Sequence, residues 1–142
     1  MYTTSTLELT RAGATKVLES AVTAAEHHGR AVSIAVVDAG GHLLAFTRTD
    51  HAEPYSVAIA IAKARGAALT RFPTGKKSPT GNERSDHHAL AITLAAGPDS
   101  FVSMPGGVPV IVSGRVVGGV GISGAGHKDA EIAEDAARNL ES

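Results

Sequence analysis

Residues 32–49 read VSIAVVDAGGHLLAFTRT, and this stretch decides the fold. Residues 32–37 and residues 43–49 are two runs of mostly β-branched and apolar side chains, which are typical of strands. The five residues between them include two consecutive glycines, which readily adopt the backbone conformations of a tight turn. The pattern therefore predicts a β-hairpin. We expect Asp38 to accept hydrogen bonds from the turn amides and not to act as a base.

The other regular elements follow from periodicity and from helix-capping residues. We expect helices at residues 11–28, 54–70, 86–96 and 128–140, and strands at 100–104, 108–113 and 116–123. Residues 72–86 are rich in Pro and Gly and are expected to form a loop. Because hairpins follow one another instead of alternating with helices, the order predicts an α+β fold with helices packed on an antiparallel sheet. Residues 1–142 contain no linker or repeat and are expected to be one domain.

The composition is globular and excludes cysteine chemistry. The chain has 142 residues, of which 43% are hydrophobic and 19% charged, and its formal net charge is −1. It has no cysteine, which excludes disulfides, thiolate metal sites and cysteine nucleophiles. The balanced charge and the small number of aromatic residues, three Phe and two Tyr, give no basis for binding nucleic acid.

The N-terminal residues and the apolar runs predict the location of the protein. Residues 1–5 lack the basic and apolar regions of a signal peptide, and the apolar runs are too short for a membrane span. We therefore expect a cytoplasmic protein whose partner is a small molecule, with neither a nucleic acid nor a membrane as partner.

Three motifs together resemble one known family. They are SIAVVDAGGHLLAF at 33–46, IAKAR at 61–65, and MPGGVP at 104–109 leading to GGVGISGA at 118–125. In this order they resemble the GlcG/HbpS-like family, over residues 10–140. The resemblance implies a profilin-like fold, with a five-stranded antiparallel sheet flanked by helices, and a homo-oligomer. The family includes haem-binding members as well as proteins encoded beside catabolic enzymes.

The chain also departs from that family. Residues 73–85 do not follow the usual pattern of the family, which has more helix-forming residues in this segment. In addition, no haem ligand of the haem-binding members can be matched to a position in this chain. Few aromatic side chains are available to sandwich a porphyrin. We therefore expect weak or no specific haem binding.

Glycine-rich turns are the first candidate ligand site. Gly106, Gly107 and Gly124 lie in turns where they serve either turn geometry alone or the binding of a carboxylate or phosphate by exposed amides. Gly124 also comes just before the last predicted helix, whose first N–H groups favour an anion. The glycine spacing matches neither a Walker nor a dinucleotide motif. Glycines inside the strand at 116–123 indicate close approach by a helix or a ligand.

Charged and histidine side chains are the second candidate. Arg48 ends the second strand and Lys63 lies on the second helix, where it would be either a solvated surface cation or a ligand-binding one. The residues His51, Glu53, His127 and Asp129 flank the starts of two helices and would transfer a proton or hold a divalent metal. We assign catalytic roles to Lys63, His127 and Asp129, and ligand binding to Arg48, His51, Glu53, Gly106, Gly107 and Gly124.

Several functions stay open at this point. The first is a binding protein for a small anionic metabolite or cofactor. The second is a lyase- or isomerase-type enzyme acting on a small carboxylated or carbonyl metabolite, and the third is an accessory oligomer of a catabolic pathway. Haem or a divalent metal are the candidate cofactors. If Lys63 lines a ligand pocket, Lys63→Ala is expected to weaken binding with little loss of stability.

Overall fold

The computed structural model describes residues 1–138 and residue 140. Four helices, four strands and a short 3-10 turn follow one another along the described chain: α1 (Arg11–His27), β1 (Ser33–Asp38), β2 (Leu43–Arg48), α2 (Ser56–Thr70), α3 (Asp86–Ala96), β3 (Gly107–Val112), β4 (Arg115–Ser123), the 3-10 turn (Gly126–Lys128) and α4 (Asp129–Arg138). These elements confirm the α+β fold. The last helix was predicted to reach residue 140, and residue 139 lies outside the described residues, as do 141 and 142.

One antiparallel sheet of four strands, in the order β2-β1-β4-β3, forms the centre of the fold. β1 and β2 make the predicted hairpin, with Ile34 opposite Thr47, and β3 and β4 make a second hairpin, with Val108 opposite Val120. The two hairpins join where β1 pairs with β4, Ile34 lying opposite Ile122. Hydrogen bonds from both neighbours make β1 and β4 the inner strands.

The prediction of a fifth strand at residues 100–104 is wrong. That segment has no strand structure and crosses α2 instead of joining the sheet. Phe101 is 5% exposed, and a Cβ on Gly66 of α2 would lie 3.5 Å from the amide nitrogen of Val102. Burial of Phe101 against the helix, between two prolines that cannot donate hydrogen bonds, keeps the segment out of the sheet.

Two helices cover one face of the sheet. α1 and α4 pack against each other and against the apolar side chains of β1, β3 and β4. Helical spacing places Val17 and Ala21 of α1 on the buried side, together with Ile132 of α4. Thr10 caps α1 by accepting a hydrogen bond from the amide of Gly13 at 3.0 Å. This face holds the larger of the two hydrophobic cores.

The other face is covered by α2, which lies almost directly on the backbone of β4. A Cβ on Gly121 would collide with the carbonyl oxygen of Ala60 and lie 2.5 Å from the amide nitrogen of Ala64. A Cβ on Gly119 would lie 3.0 Å from the amide nitrogen of Ala68. Real Cβ atoms do not approach so closely, so these strand glycines make room for a helix, one of the two occupants predicted from the sequence.

The third helix, α3, stands apart from these layers. It has the predicted bounds: Ser85 caps it by accepting from the amide of His88 at 3.1 Å, and Gly97, with φ +95°, ends it. The loop before it is held by Arg84, whose Nη1 donates to the carbonyl oxygens of Gly75 and Lys77. No residue of α3 is buried.

Candidate functional site

The strand register brings most of the predicted site residues to one end of the sheet. Arg48 at the end of β2 lies opposite Ser33 at the start of β1, and Ser33 lies opposite Ser123 at the end of β4. We call this edge the Ser33 end. The chain leaves it twice, through residues 49–55 to α2 and through residues 124–128 to α4. Arg48 is the last residue of β2, and the predicted residues that follow the two strands are His51, Glu53, Gly124, His127 and Asp129.

The start of α2 is attached to this end by hydroxyl groups. The Oγ atoms of Ser33 and Ser56 are 2.8 Å apart, and Ser56 Oγ also donates to the carbonyl oxygen of Glu53 at 2.6 Å. Both serines are buried, with exposures of 0% and 1%. A buried hydroxyl without a partner is costly, so this contact fixes the position of α2 against β1.

Lys63 and Asp129 form a buried ion pair at the Ser33 end. Lys63 Nζ donates to Asp129 Oδ2 at 2.9 Å and to the carbonyl oxygen of Ile122 at 2.9 Å. Asp129 Oδ1 accepts from the amide of Ala125 at 2.8 Å. The two side chains are only 4% and 7% exposed. The pair therefore links α2, on one face of the sheet, to α4, on the other.

Burial of Lys63 reverses the expectation that its removal would cost little stability. A lysine on a solvated pocket wall leaves behind no unpaired partner when it is replaced. Here, replacement leaves a buried carboxylate without its counter-ion and the carbonyl of Ile122 without that donor. The sequence alone offers no signal for this pairing, because the two residues are 66 positions apart.

The glycines of the 105–107 turn make space for this lysine. A Cβ on Gly106, whose φ is +125°, would lie 2.8 Å from Lys63 Nζ and 2.9 Å from Asp129 Cβ. A Cβ on Gly107 would collide with the carbonyl group of Lys63. At Gly124, with φ +121°, a Cβ would lie 2.7 Å from the carbonyl oxygen of Ala31. Packing by itself therefore accounts for a glycine at all three positions, and their contacts with a ligand stay a prediction.

Most of the remaining predicted side chains are exposed at the Ser33 end of the sheet. Arg48, His51, Glu53 and His127 are all exposed, and His51 has a φ of +72°. Within the described part of the chain, no three His, Asp or Glu side chains lie close enough together to hold a metal ion. The structure therefore joins Lys63, Asp129, Gly106 and Gly107 in direct contact. No direct contact joins the four exposed side chains to this cluster among the hydrogen bonds and ion pairs of the described residues.

A cleft that sequence reasoning missed begins next to this end. It has a volume of about 400 Å³, within the size range of small-molecule sites. One wall is the outer side of α2, and the other is the end of α3 with the segment after it. The lining residues are Ala58, Ile59, Ala62, Thr93, Pro98, Asp99, Phe101, Val102, Ser103 and Met104. Met104 leads directly into the 105–107 turn, and the lining is mostly apolar.

The hairpin turn at the opposite end of β1 serves structure, as predicted. Asp38 Oδ1 accepts hydrogen bonds from the amides of Gly40 at 2.9 Å and His42 at 3.0 Å. Arg65 of α2 reaches this turn and donates to the carbonyl oxygen of Gly41 at 2.6 Å. Asp38 thus holds the turn through its carboxylate, as expected of an Asp in this position.

The fold and the three sequence motifs agree with known proteins. Residues 9–138 match the family described as "Haem degrading protein HbpS-like". The chain belongs to this HbpS-like family. Protein GlcG of Escherichia coli (strain K12) is 39% identical to it over 99 residues, which cover 70% of this chain and 69% of GlcG. The family assignment made from the motifs is therefore confirmed.

Two solved structures share the fold over nearly all of the chain. The ORFY protein of Klebsiella pneumoniae superposes with a TM-score of 0.82 at 27% identity, covering 99% of this chain and 96% of ORFY. A double mutant of Streptomyces reticuli HbpS superposes with a TM-score of 0.79 at 35% identity, covering 99% and 92%. In the described part of this HbpS-like chain, no helix has the length and apolarity needed to cross a membrane.

Proposed function

We propose that this HbpS-like chain is a binding protein for a small anionic organic metabolite or cofactor, built on a profilin-like scaffold and assembled as a homo-oligomer. The observation that carries the proposal is the apolar cleft of about 400 Å³ that begins beside the Ser33 end of the sheet. Apolar walls with a few polar groups nearby are typical of sites that bind small molecules.

The ligand would be held by two regions of the surface. Its apolar part would lie along Ile59 and Ala62 of α2, which line the cleft. Its anionic group would lie toward the exposed residues that surround the starts of α2 and α4. There Arg48 offers a guanidinium group suited to a carboxylate, and His51 and His127 offer imidazole donors.

The contacts of Lys63 favour binding over acid–base catalysis. An enzyme that used Lys63 and Asp129 on a substrate would have to break a buried ion pair in which each group already has two hydrogen bonds. In the binding protein proposed here, the pair positions α2 and the 105–107 turn. His127, which is exposed, is free to contact the ligand directly.

Haem is a weaker candidate than a smaller anion, although the family description names haem degradation. The residues that line the cleft include no histidine. Met104 is the sulfur donor there, and methionine is an axial haem ligand chiefly as the partner of a histidine. We therefore propose a small anion ahead of haem as the ligand of this cleft.

A variant that fills the cleft tests the proposal. A panel of two- to six-carbon hydroxy- and oxo-carboxylates, with and without an apolar chain, would be measured by isothermal titration calorimetry. Ile59→Trp should weaken binding of any ligand found by at least about tenfold, because the indole occupies the cleft. Ile111→Trp, on a half-exposed strand residue outside the cleft, is the matched control. No binding by the whole panel, or equal binding by the Ile59→Trp protein, would contradict the proposal.

A further inference from the structure

The turn between β2 and α2 contains a histidine at a position where glycine is the usual residue. The amide of Ala52 donates to the carbonyl oxygen of Thr49 at 3.2 Å, which makes residues 49–52 a β-turn. His51 is the third residue of this turn and has a φ of +72°, whereas Asp50 before it does not have a positive φ. Positive φ at the third position alone is the pattern of a type II turn, which takes glycine or asparagine there. The backbone of His51 is therefore strained.

The contacts at both ends of the turn prevent this strain from relaxing. Thr49 is held to Val32 by three hydrogen bonds: its amide donates to the carbonyl oxygen of Val32 at 2.9 Å, and its Oγ1 accepts from the amide of Val32 at 2.9 Å and donates to the same carbonyl at 3.1 Å. At the other end, Ala52 is buried, with an exposure of 8%. Because both ends of the turn are fixed, His51 keeps its positive φ.

The imidazole of His51 does not stabilise the fold. It is exposed, and it forms no hydrogen bond or ion pair with any residue that the structure describes. Glycine at this position would remove the strain without losing any of those contacts, so the fold by itself does not account for a histidine. Strained residues of this kind cluster at sites that bind ligands, where the side chain is needed for function.

We infer that the imidazole of His51 contacts the anionic group of the ligand and selects a carboxylate over a neutral group, an inference that rests on the proposed binding function and identifies its specificity-determining residue. The turn lies at the Ser33 end of the sheet and leads into α2, whose residues Ala58 and Ile59 line the cleft. The protonated ring nitrogen of a histidine donates a hydrogen bond to a carboxylate. Because the turn is fixed, little backbone freedom is lost when the ligand binds.

The charges around the turn make this donor important for an anionic ligand. Asp50 and Glu53 are exposed on either side of His51, and their carboxylates repel an anion. Without the imidazole, residues 50–53 offer an anion two carboxylates and no side-chain donor. A ligand would then keep its apolar contacts with the cleft and lose much of the advantage of its charge. The preference for a carboxylate over a neutral group of the same size should therefore depend on His51.

Calorimetry with pairs of charged and neutral ligands tests the inference. The carboxylate panel is measured together with the amide of each member, for example hexanoate with hexanamide, which share the same carbon chain. The wild-type chain should bind the carboxylate more tightly, and His51→Gly and His51→Ala should each lower the ratio of the two affinities by at least about tenfold. No binding by the whole panel would overturn both the proposed function and this inference. Carboxylate binding with an unchanged ratio in both variants would overturn only the inference, as would equal affinity of the wild-type chain for a carboxylate and its amide.

Urea denaturation of the same variants tests whether His51 is retained although it destabilises the fold. His51→Gly should raise the midpoint of unfolding by about 0.5 M urea, because glycine adopts positive φ without strain. His51→Ala keeps a Cβ at the same φ and should not raise it. The matched control is Arg71→Gly, at an exposed residue with a φ of +62° that follows the last turn of α2, at the far end of the helix from His51. It should raise the midpoint in the same way and leave the affinity ratio unchanged. A His51→Gly chain without a gain in stability would overturn the inference, as would an Arg71→Gly chain that loses the preference for carboxylates.

Discussion

Removal of the charge on Lys63 is the perturbation whose energy follows most directly from the structure. Lys63→Met keeps the length of the side chain, but it leaves the carboxylate of Asp129 buried without its counter-ion and removes the donor to the carbonyl of Ile122. Breaking one partner of a buried pair costs about 3–5 kcal/mol. Asp129 retains its hydrogen bond from Ala125, so we expect the lower part of that range, about 3 kcal/mol.

A loss of that size is easy to measure. Single domains are stable by about 5–15 kcal/mol, so Lys63→Met should remove a large fraction of the free energy of unfolding. The assay is urea denaturation followed by circular dichroism, with both chains at the same protein concentration. The urea concentration at the midpoint of unfolding should fall. The m-value, which is the slope of the free energy of unfolding against urea concentration, should stay unchanged.

The double variant Lys63→Met/Asp129→Asn tests whether the two side chains stabilise the fold as a pair or independently of each other. Removing both charges leaves no uncompensated ion, so the double variant should be more stable than the sum of the single variants predicts, with a coupling energy of about 2 kcal/mol. A cost below about 1 kcal/mol for Lys63→Met, or strict additivity, would refute the assignment of a structural pair. In that case Lys63 would be available as the ligand-binding or catalytic cation predicted from the sequence.

Two further predictions concern the helix–sheet contact and the ligand. Gly121→Ala should lower the free energy of unfolding by more than about 2 kcal/mol, because its Cβ would meet the backbone of Ala60 and Ala64. Arg115→Ala, at the exposed start of the same strand, is the control and should change the free energy of unfolding by less than about 0.5 kcal/mol. Similar losses for both variants would show that α2 lies farther from β4. Titration with haemin should produce no stoichiometric Soret band, and a one-to-one band abolished by a single His→Ala change would contradict this prediction.

Local sequence patterns were sufficient for most of the secondary structure. The hairpin at residues 33–48 follows from two apolar runs around a Gly-Gly turn, and α3 follows from Ser85 before it and Gly97 after it. Both depend on residues that are neighbours along the chain, where capping and turn chemistry act. The strand predicted at residues 100–104 failed for the opposite reason, because burial of Phe101 against α2 outweighed the local preference.

The candidate site shows a similar division between local and long-range effects. The glycine-rich turn and the charged residues near it could be picked out from the sequence, and the register places them at one end of the sheet. Their contacts could not be predicted. A glycine that makes room for a ligand cannot be told from the sequence apart from one that makes room for a lysine. Only the packing of α2 brings Lys63 against Gly106 and Gly107.

The sequence by itself determined the family, the α+β class and the bounds of most helices and strands, because these depend on motifs and on interactions between nearby residues. Only the tertiary structure decided that Lys63 is buried beside Asp129, that α2 lies on the glycines of β4, and that an apolar cleft opens beside Met104. Each of these features joins residues far apart in the chain. Burial and ion pairing depend on the distances between residues in space. For residues far apart in the chain, these distances are set by how the sheet and helices pack.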